Sequence, residues 1–288
     1  MTYSTGRKLM KWWFPVLAVA LGGAVSTACG ADMGVAQPQV RLNKVIEAIE
    51  DGRPAIANQD WRFVDMEHSA FSGERIDRVL EEMDQDRDET GRMTLTPMVR
   101  IPMDGDEDFK WAIKQVLDLG GFGVIVPHVD TAEEADRLVR AVRYPPARDA
   151  AQPEPRGERG WGPGGAIRRW QVADAGEYYA KADVWPLNPD GELFVVAMIE
   201  SAEAVANLEA ILQTAVSAIM VVPGDMSIDL GLGPAPGPEN HPEVEETFTR
   251  VREICQAQDR VICGIGDGAA RLQQRIDEGW GFILPLGG

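Results

Sequence analysis

The chain has 288 residues, 44% of them hydrophobic, enough to build a packed core in one large α/β domain or two small ones. Its formal net charge of −18 argues against a nucleic-acid or anionic-membrane partner. Three cysteines are too few for a disulfide framework.

The amino terminus reads as an export signal. Arg7, Lys8 and Lys11 precede an apolar stretch, Trp12 to Val25, too short for a comfortable membrane span. Ser26-Thr27-Ala28 is a small-residue cleavage site with Cys29 directly after it. Residues 1–28 are therefore expected to be a signal peptide, and the product periplasmic or a membrane-tethered lipoprotein acylated at Cys29. Residues 29–38 read as a tether, and residues 39–288 as a single domain.

Val40 to Glu50 predicts a short amphipathic helix ended by Asp51-Gly52. Pro54 to Asn58 is a weak first strand, and Phe63 to His68 a second strand running into polar residues. Ser72 to Asp86 is a helix with a serine cap. Leu95 to Pro102 is a third strand, Asp106 to Leu119 a helix, Phe122 to Pro127 a fourth strand and Thr131 to Val142 a helix. Tyr144 to Arg169 is a long irregular stretch, dense in Pro, Gly and Arg, read as a solvated insertion, with binding of an anionic substrate as the alternative. Ala173 to Ala182 is a short helix.

Two apolar runs follow, Leu193 to Glu200 and Ala218 to Asp225, each closed by an acid and separated by a helix over Ala202 to Thr214. Pro242 to Gln258 is a helix, Val261 to Gly264 a seventh strand, Gly268 to Glu278 a helix and Gly281 to Leu284 an eighth strand. Alternating strand and helix with eight apolar strands predicts a (β/α)₈ TIM barrel, with a doubly wound sheet as the alternative. No helix follows the last strand, and either the helix at 40–50 or a neighbouring subunit is expected to fill part of that gap.

In a parallel barrel, chemistry sits at the carboxyl ends of the strands. Those ends carry Asp65, Glu67, His68, Arg100, His128, Glu200, Asp225 and Asp267. Glu200 and Asp225, brought together, would repel unless a cation sat between them, and hard oxygen ligands suit Mg²⁺ or Mn²⁺. Asp65 is close enough in sequence to orient His68 as a general base. Arg100 offers a planar fork for a carboxylate or an oxyanion. Bland readings stand beside these. His128 is read as a rim residue, His241 as a helix start, Cys255 and Cys263 as buried thiols, and the acids at 104–108 and 243–246 as solvated helix starts.

Asp65-Met66-Glu67-His68, Val99-Arg100-Ile101-Pro102, Val126-Pro127 with Thr131-Ala132-Glu133-Glu134, Arg143-Tyr144-Pro145-Pro146, Met198-Ile199-Glu200 and Pro223-Gly224-Asp225-Met226-Ser227 together resemble the HpcH/HpaI aldolases, the metal-dependent class II pyruvate aldolases close to the citrate lyase β-subunit group. The resemblance runs from about residue 40 to the carboxyl terminus.

It implies a divalent metal (Mg²⁺, Mn²⁺ or Co²⁺) held by Glu200 and Asp225. It further implies a 2-oxo acid chelated there as its enolate, Arg100 on the enolate oxygen, and His68 steered by Asp65 for proton transfer. The Pro223-Gly224-Asp225 turn would hold the substrate carboxylate through backbone N–H groups. The implied reaction is reversible cleavage of a 4-hydroxy-2-oxo acid to pyruvate, or another 2-oxo acid, and an aldehyde. A lyase for a CoA thioester is a variant within the same fold, and an exported non-catalytic binding protein is the alternative. Asp118 matches an aspartate near a subunit boundary, and a homo-oligomer, trimer or hexamer, is implied. The chain departs from the family pattern at Met198, Val222 and Gly224, in its longer 147–165 loop, and in lacking the exchanged carboxyl-terminal helix.

Overall fold

A computed structural model describes residues 40–102, 110–235 and 239–287. The expected signal peptide and tether, the start of the helix expected from Asp106, and the acids at 104–108 lie outside the described residues.

The apolar runs pair as parallel strands: β1 (Ala55–Ile56), β2 (Trp61–Asp65), β3 (Thr96–Arg100), β4 (Gly123–Val126), β5 (Phe194–Ile199), β6 (Ala218–Val221), β7 (Ile262–Gly268) and β8 (Phe282–Leu286). Their order is β1-β8-β7-β6-β5-β4-β3-β2, so the first strand pairs with the last, and a bridge between Ala57 and Trp61 links the two ends of the sheet. That closure makes the fold a TIM-type α/β barrel and removes the doubly wound alternative.

The helices are α1 (Lys44–Glu50), α2 (Gly73–Asp84), α3 (Lys110–Asp118), α4 (Ala132–Val142), α5 (Gly164–Trp170), α6 (Ala175–Lys181), α7 (Ala202–Ala206), α8 (Leu208–Ile211), α9 (Pro223–Asp229), α10 (Pro242–Gln256) and α11 (Leu272–Asp277). Local chemistry sets their starts. The Ser72 side chain accepts the N–H of Arg75, and Thr131 with Glu134 forms a reciprocal capping box.

Because strand side chains alternate, two apolar layers result. Met98, Ile125, Phe194, Val196, Met198, Met220, Phe282 and Leu284 fill the barrel, while Val99, Val124, Val195, Ile219, Ile265 and Ile283 face the helices. Trp61 stacks on Phe282 with ring centroids 4.5 Å apart. Gly123 makes room within this layer, since a Cβ there would lie 2.2 Å from the Phe194 carbonyl oxygen and 2.6 Å from Met98 Sδ.

Several expected boundaries differ. Helix α1 does not cover the outside of β8. Its Val45, Ile46 and Ala48 join the inner cluster with Trp61, Phe194 and Phe282, closing one end of the barrel, and Ile283 on β8 is buried without it. The helix expected over Ala202 to Thr214 is two short helices, parted at Asn207, whose side chain donates to the Asp130 carbonyl at 2.9 Å. The irregular 144–169 stretch contains most of α5.

As expected, that stretch is exposed over most of its length, Arg148, Arg156, Trp161 and Arg168 included, but it is not at the mouth and it is pinned by buried arginines. It connects α4 to β5, so it belongs to the barrel's amino end within this chain. The side chains of Arg143, Arg159 and Arg169 are at most 1% exposed. Arg143 forks onto Asp183 at 2.6 and 2.9 Å, Arg169 pairs with Asp77 and Glu81, and Arg159 donates to Asp118 and the Tyr178 hydroxyl. Ion pairing lets these three arginines go inside while the chain around them stays exposed, which composition could not reveal.

Cys255 on α10 and Cys263 on β7, expected as separate thiols, are joined in a disulfide with Cα atoms 5.9 Å apart. The last turn of α10 lies against the start of β7, within bridging range.

Asp267 is turned away from the barrel axis. It alternates with Gly266 and Gly268 on β7 and receives hydrogen bonds from Arg271 Nε at 2.9 Å and Arg275 Nε at 2.7 Å. Burial works to raise its carboxyl, but these guanidinium contacts reverse the effect and leave it below the usual carboxylate range. Asp267→Ala would remove one of the three carboxylates on the buried Arg275, with Glu245 and Glu278 remaining, and is expected to lower unfolding stability in urea by about 2 kcal/mol. A group with a depressed folded pKa contributes stability above its unfolded pKa of about 4 that fades as pH falls through the folded value. Asp267→Asn should therefore flatten the fall of Tm below about pH 4, and an unchanged acid limb would remove that role.

Candidate active site

The carboxyl ends of β2, β3, β5 and the turn after β6 assemble one polar cluster. Inward alternation on β3 puts Arg100 above Met98, and on β5 it puts Glu200, just past the strand, above Met198. Register aligns Asp65 on β2 directly with Arg100.

Arg100 is 8% exposed and organises one half of the cluster. Its Nε and Nη2 donate to Asp65 Oδ1 and Oδ2 at 3.1 and 2.7 Å, and its Nη1 lies 2.8 Å from Glu67 Oε2. Its guanidinium carbon stands 5.1 Å from the centroid of the Phe63 ring. Burial acts to raise the Asp65 carboxyl, but Arg100, by hydrogen bonding and by charge, lowers it to about 2. Asp65 also accepts the Glu67 N–H at 3.0 Å, which folds the Asp-x-Glu-His segment back over the strand end.

His68 is the exposed member. Its Nδ1 lies 3.2 Å from Asp65 Oδ2 and 2.6 Å from Arg100 Nη2. These contacts need opposite roles from one nitrogen. Toward Asp65, Nδ1 must carry a proton; toward Arg100 it must accept one. Asp65 steers His68 as a base only in the tautomer with Nδ1 protonated and Nε2 free, in which the Arg100 contact to Nδ1 is not a hydrogen bond.

Glu200 anchors the other half. Its side chain is 1% exposed, and Oε2 accepts the His128 N–H at 2.9 Å. Burial raises its carboxyl to about 7, the His128 contact opposes this, and the negative charges of Asp225 and Glu67 add to it. Glu67 is raised by burial, and Asp225 and Asp65 again contribute. The charge of Asp225 thus disfavours ionisation of both Glu67 and Glu200, and Glu67 adds to the effect on Glu200. Such a set of oxygen donors fits a hard divalent cation, which would relieve the repulsion.

Asp65, Glu67 and His68 also bring ligand atoms within 4.8 Å of one another. Arg100 already stands among them, so a metal there would face a guanidinium. Among the described hydrogen bonds and ion pairs, neither Glu200 nor Asp225 meets a lysine or arginine.

Asp225 is not at a strand end, as expected, but in the first turn of α9. Pro223 holds the first helical position, where no N–H is needed, and the open N–H groups of the first turn belong to Gly224 and Asp225. Gly224 is not forced by crowding, since a Cβ there would meet nothing within 4 Å. Met198 and Val222 pack into the inner cluster beneath the cluster of acids. Asp118 ends α3 and is bound by Lys114 and Arg159, apart from these acids within one chain. His128, read as a rim residue, supplies Glu200's backbone donor; no side-chain pattern could have shown a role held by a peptide N–H.

A family model described as HpcH/HpaI aldolase/citrate lyase matches residues 52–279. The chain is 30% identical over 230 residues to a hydroxypyruvate/pyruvate aldolase of Roseobacter denitrificans, covering 79% of this chain and 77% of that protein. It is 32% identical over 209 residues to a 2-keto-3-deoxy-L-rhamnonate aldolase of Klebsiella pneumoniae, covering 70% of this chain and 66% of the relative. The crystal structure of an HpcH/HpaI aldolase from Desulfitobacterium hafniense aligns with a TM-score of 0.63 at 27% identity, covering 86% of this chain and 82% of that one. By sequence and by fold, the chain belongs to the HpcH/HpaI aldolase/citrate lyase family.

Proposed function

We propose that the protein is a class II aldolase that reversibly cleaves a 4-hydroxy-2-oxo acid to pyruvate, or another 2-oxo acid, and an aldehyde. The observation that carries this reading is the set of three carboxylates, Glu67, Glu200 and Asp225, at the same barrel end as Arg100. Aldolase-named relatives at about this similarity support the carbon–carbon lyase class.

Glu200 and Asp225 would hold a divalent metal, Mg²⁺, Mn²⁺ or Co²⁺, with Glu67 orienting its water. A metal held there supplies Lewis-acid polarisation of the oxo acid. The first-turn N–H groups at Gly224 and Asp225 receive the substrate carboxylate. In cleavage, His68 accepts the proton of the C4 hydroxyl, the C3–C4 bond breaks and the aldehyde departs. The electron pair stays on the three-carbon enolate, whose oxygen Arg100 faces, and a proton then returns to C3. The Cys255–Cys263 disulfide fits the export proposed from the amino-terminal sequence, because such bonds persist in oxidising compartments.

Pyruvate α-proton exchange tests the reading without knowledge of the aldehyde. Deuterium is expected to enter the pyruvate methyl group in the presence of Mn²⁺, to stop on chelation and to resume on re-addition. A protein that binds Mn²⁺ yet shows neither exchange nor cleavage would be a binding protein on the same barrel.

A further inference from the structure

The turn between β4 and α4 carries an unusual backbone. His128 has φ +49°, in the left-handed region that few residues other than glycine enter. The two peptide N–H groups around it have separate partners on one neighbouring segment. The His128 N–H donates to Glu200 Oε2 at 2.9 Å, and the Val129 N–H donates to the Met198 carbonyl at 3.1 Å.

The dihedrals of His128 set the angle between those two rigid peptide planes. The acceptors are two residues apart, one a backbone carbonyl and the other a carboxylate. With residue 128 extended, the planes would diverge and one acceptor would lose its donor. The turn is fastened further along as well, because Ser201 Oγ donates to Asp130 Oδ1 and Asn207 Nδ2 donates to the Asp130 carbonyl. The conformation is thus held by contacts on both sides, as strained residues at functional sites are.

The imidazole does not hold Glu200. Its Nδ1 is 3.9 Å from Glu200 Oε2, beyond hydrogen-bond range. The carboxylate is almost wholly shielded from water, so a fixed donor decides where its second oxygen points.

We propose that His128 is a positioning residue whose left-handed backbone aims its own amide at Glu200 and thereby fixes that carboxylate for a divalent cation. The role is carried by the conformation of residue 128 and not by its ring. It rests on the reading of Glu200 as a metal ligand.

The test is calorimetric titration of Mn²⁺ into the chelator-stripped chain, with a thermal melt of each variant as a folding control. His128→Val, which resists the left-handed region, is expected to raise the Mn²⁺ Kd about tenfold or more, the scale on which supporting groups act at metal sites. His128→Ala should weaken binding less but in the same direction, and it serves if the valine variant does not fold. His128→Gly and His128→Asn enter that region readily and should bind Mn²⁺ much as the parent does, although neither has an imidazole.

Glycine and asparagine variants as weak as valine would overturn the proposal by making the ring the agent. Valine and alanine variants with parental affinity would overturn it by making the backbone irrelevant. Glu200→Gln separates the two levels. If it binds Mn²⁺ as the parent does, the metal-ligand reading itself fails; if it loses binding while all His128 variants keep theirs, only the positioning role fails.

Discussion

Arg100→Ala is expected to reduce pyruvate α-proton exchange by about 10²–10³-fold, the usual loss when one preorganised donor to a developing oxyanion is removed. Mn²⁺ affinity should stay near the parental value, because Arg100 touches Asp65, Glu67 and His68 but makes no contact with Glu200 or Asp225 among the described hydrogen bonds and ion pairs. Arg100→Lys should not restore exchange. A lysine ammonium is a point charge, and it cannot keep a fork on Asp65 while presenting a second edge to the enolate. The alanine variant also leaves Asp65 and Glu67 without their cation, so a thermal melt must accompany the kinetics. Retained exchange in a folded Arg100→Ala variant would remove Arg100 from the chemistry and leave it as the clasp of the β2 carboxylates.

Glu200→Gln is expected to abolish measurable Mn²⁺ binding, a loss beyond the roughly 10–100-fold that supporting groups cost. The amide keeps the side chain's shape and can still accept the His128 N–H, so the change isolates charge. In chelator-treated protein the same substitution should bring a gain. A carboxyl whose folded value is raised to about 7 binds its proton more tightly when folded. Its stabilising contribution is complete below the unfolded pKa of about 4 and is lost as pH rises through about 7, at a cost on the order of 3 kcal/mol by linkage. Metal-free parent protein should therefore lose Tm between about pH 4 and pH 7, and Glu200→Gln should not. Stability given up for a ligand set is what a site built for a cation should show. Equal pH profiles for the two metal-free proteins would mean that Glu200 carries no such repulsion.

The order and type of the barrel strands were legible because burial on both faces makes a parallel strand a continuous apolar run, with turn residues bounding it. The start of α2 was legible through its Ser72 cap, and α4 begins just after Thr131, where its helix was expected to start. The acids at 200 and 225, Arg100 and the Asp65–His68 pair were legible because each stands at or just beyond such a run, and alternation along the strand fixes which face an end residue shares. Asp267 shows the limit of that argument. It stands at a strand end like the others, yet one step of register turns it outward onto Arg271 and Arg275.

Tertiary structure decided the rest, because it depends on contacts between segments far apart in the chain. Arg143, Arg159 and Arg169 are buried because Asp183, Asp118 and Asp77 meet them from other elements, while Arg148, Arg156 and Arg168 beside them stay exposed. Helix α1 closes the barrel end because its apolar face meets Trp61, Phe194 and Phe282 there. The competition of Asp65 and Arg100 for one nitrogen of His68 appears only when β2 and β3 are in register. Glu200 is raised by burial and by acids from two other segments, and held by a peptide N–H whose direction depends on one left-handed residue. The sequence by itself determined which residues reach the barrel mouth. Burial, charge proximity and backbone direction, which exist only in the folded chain, decided what each one meets there.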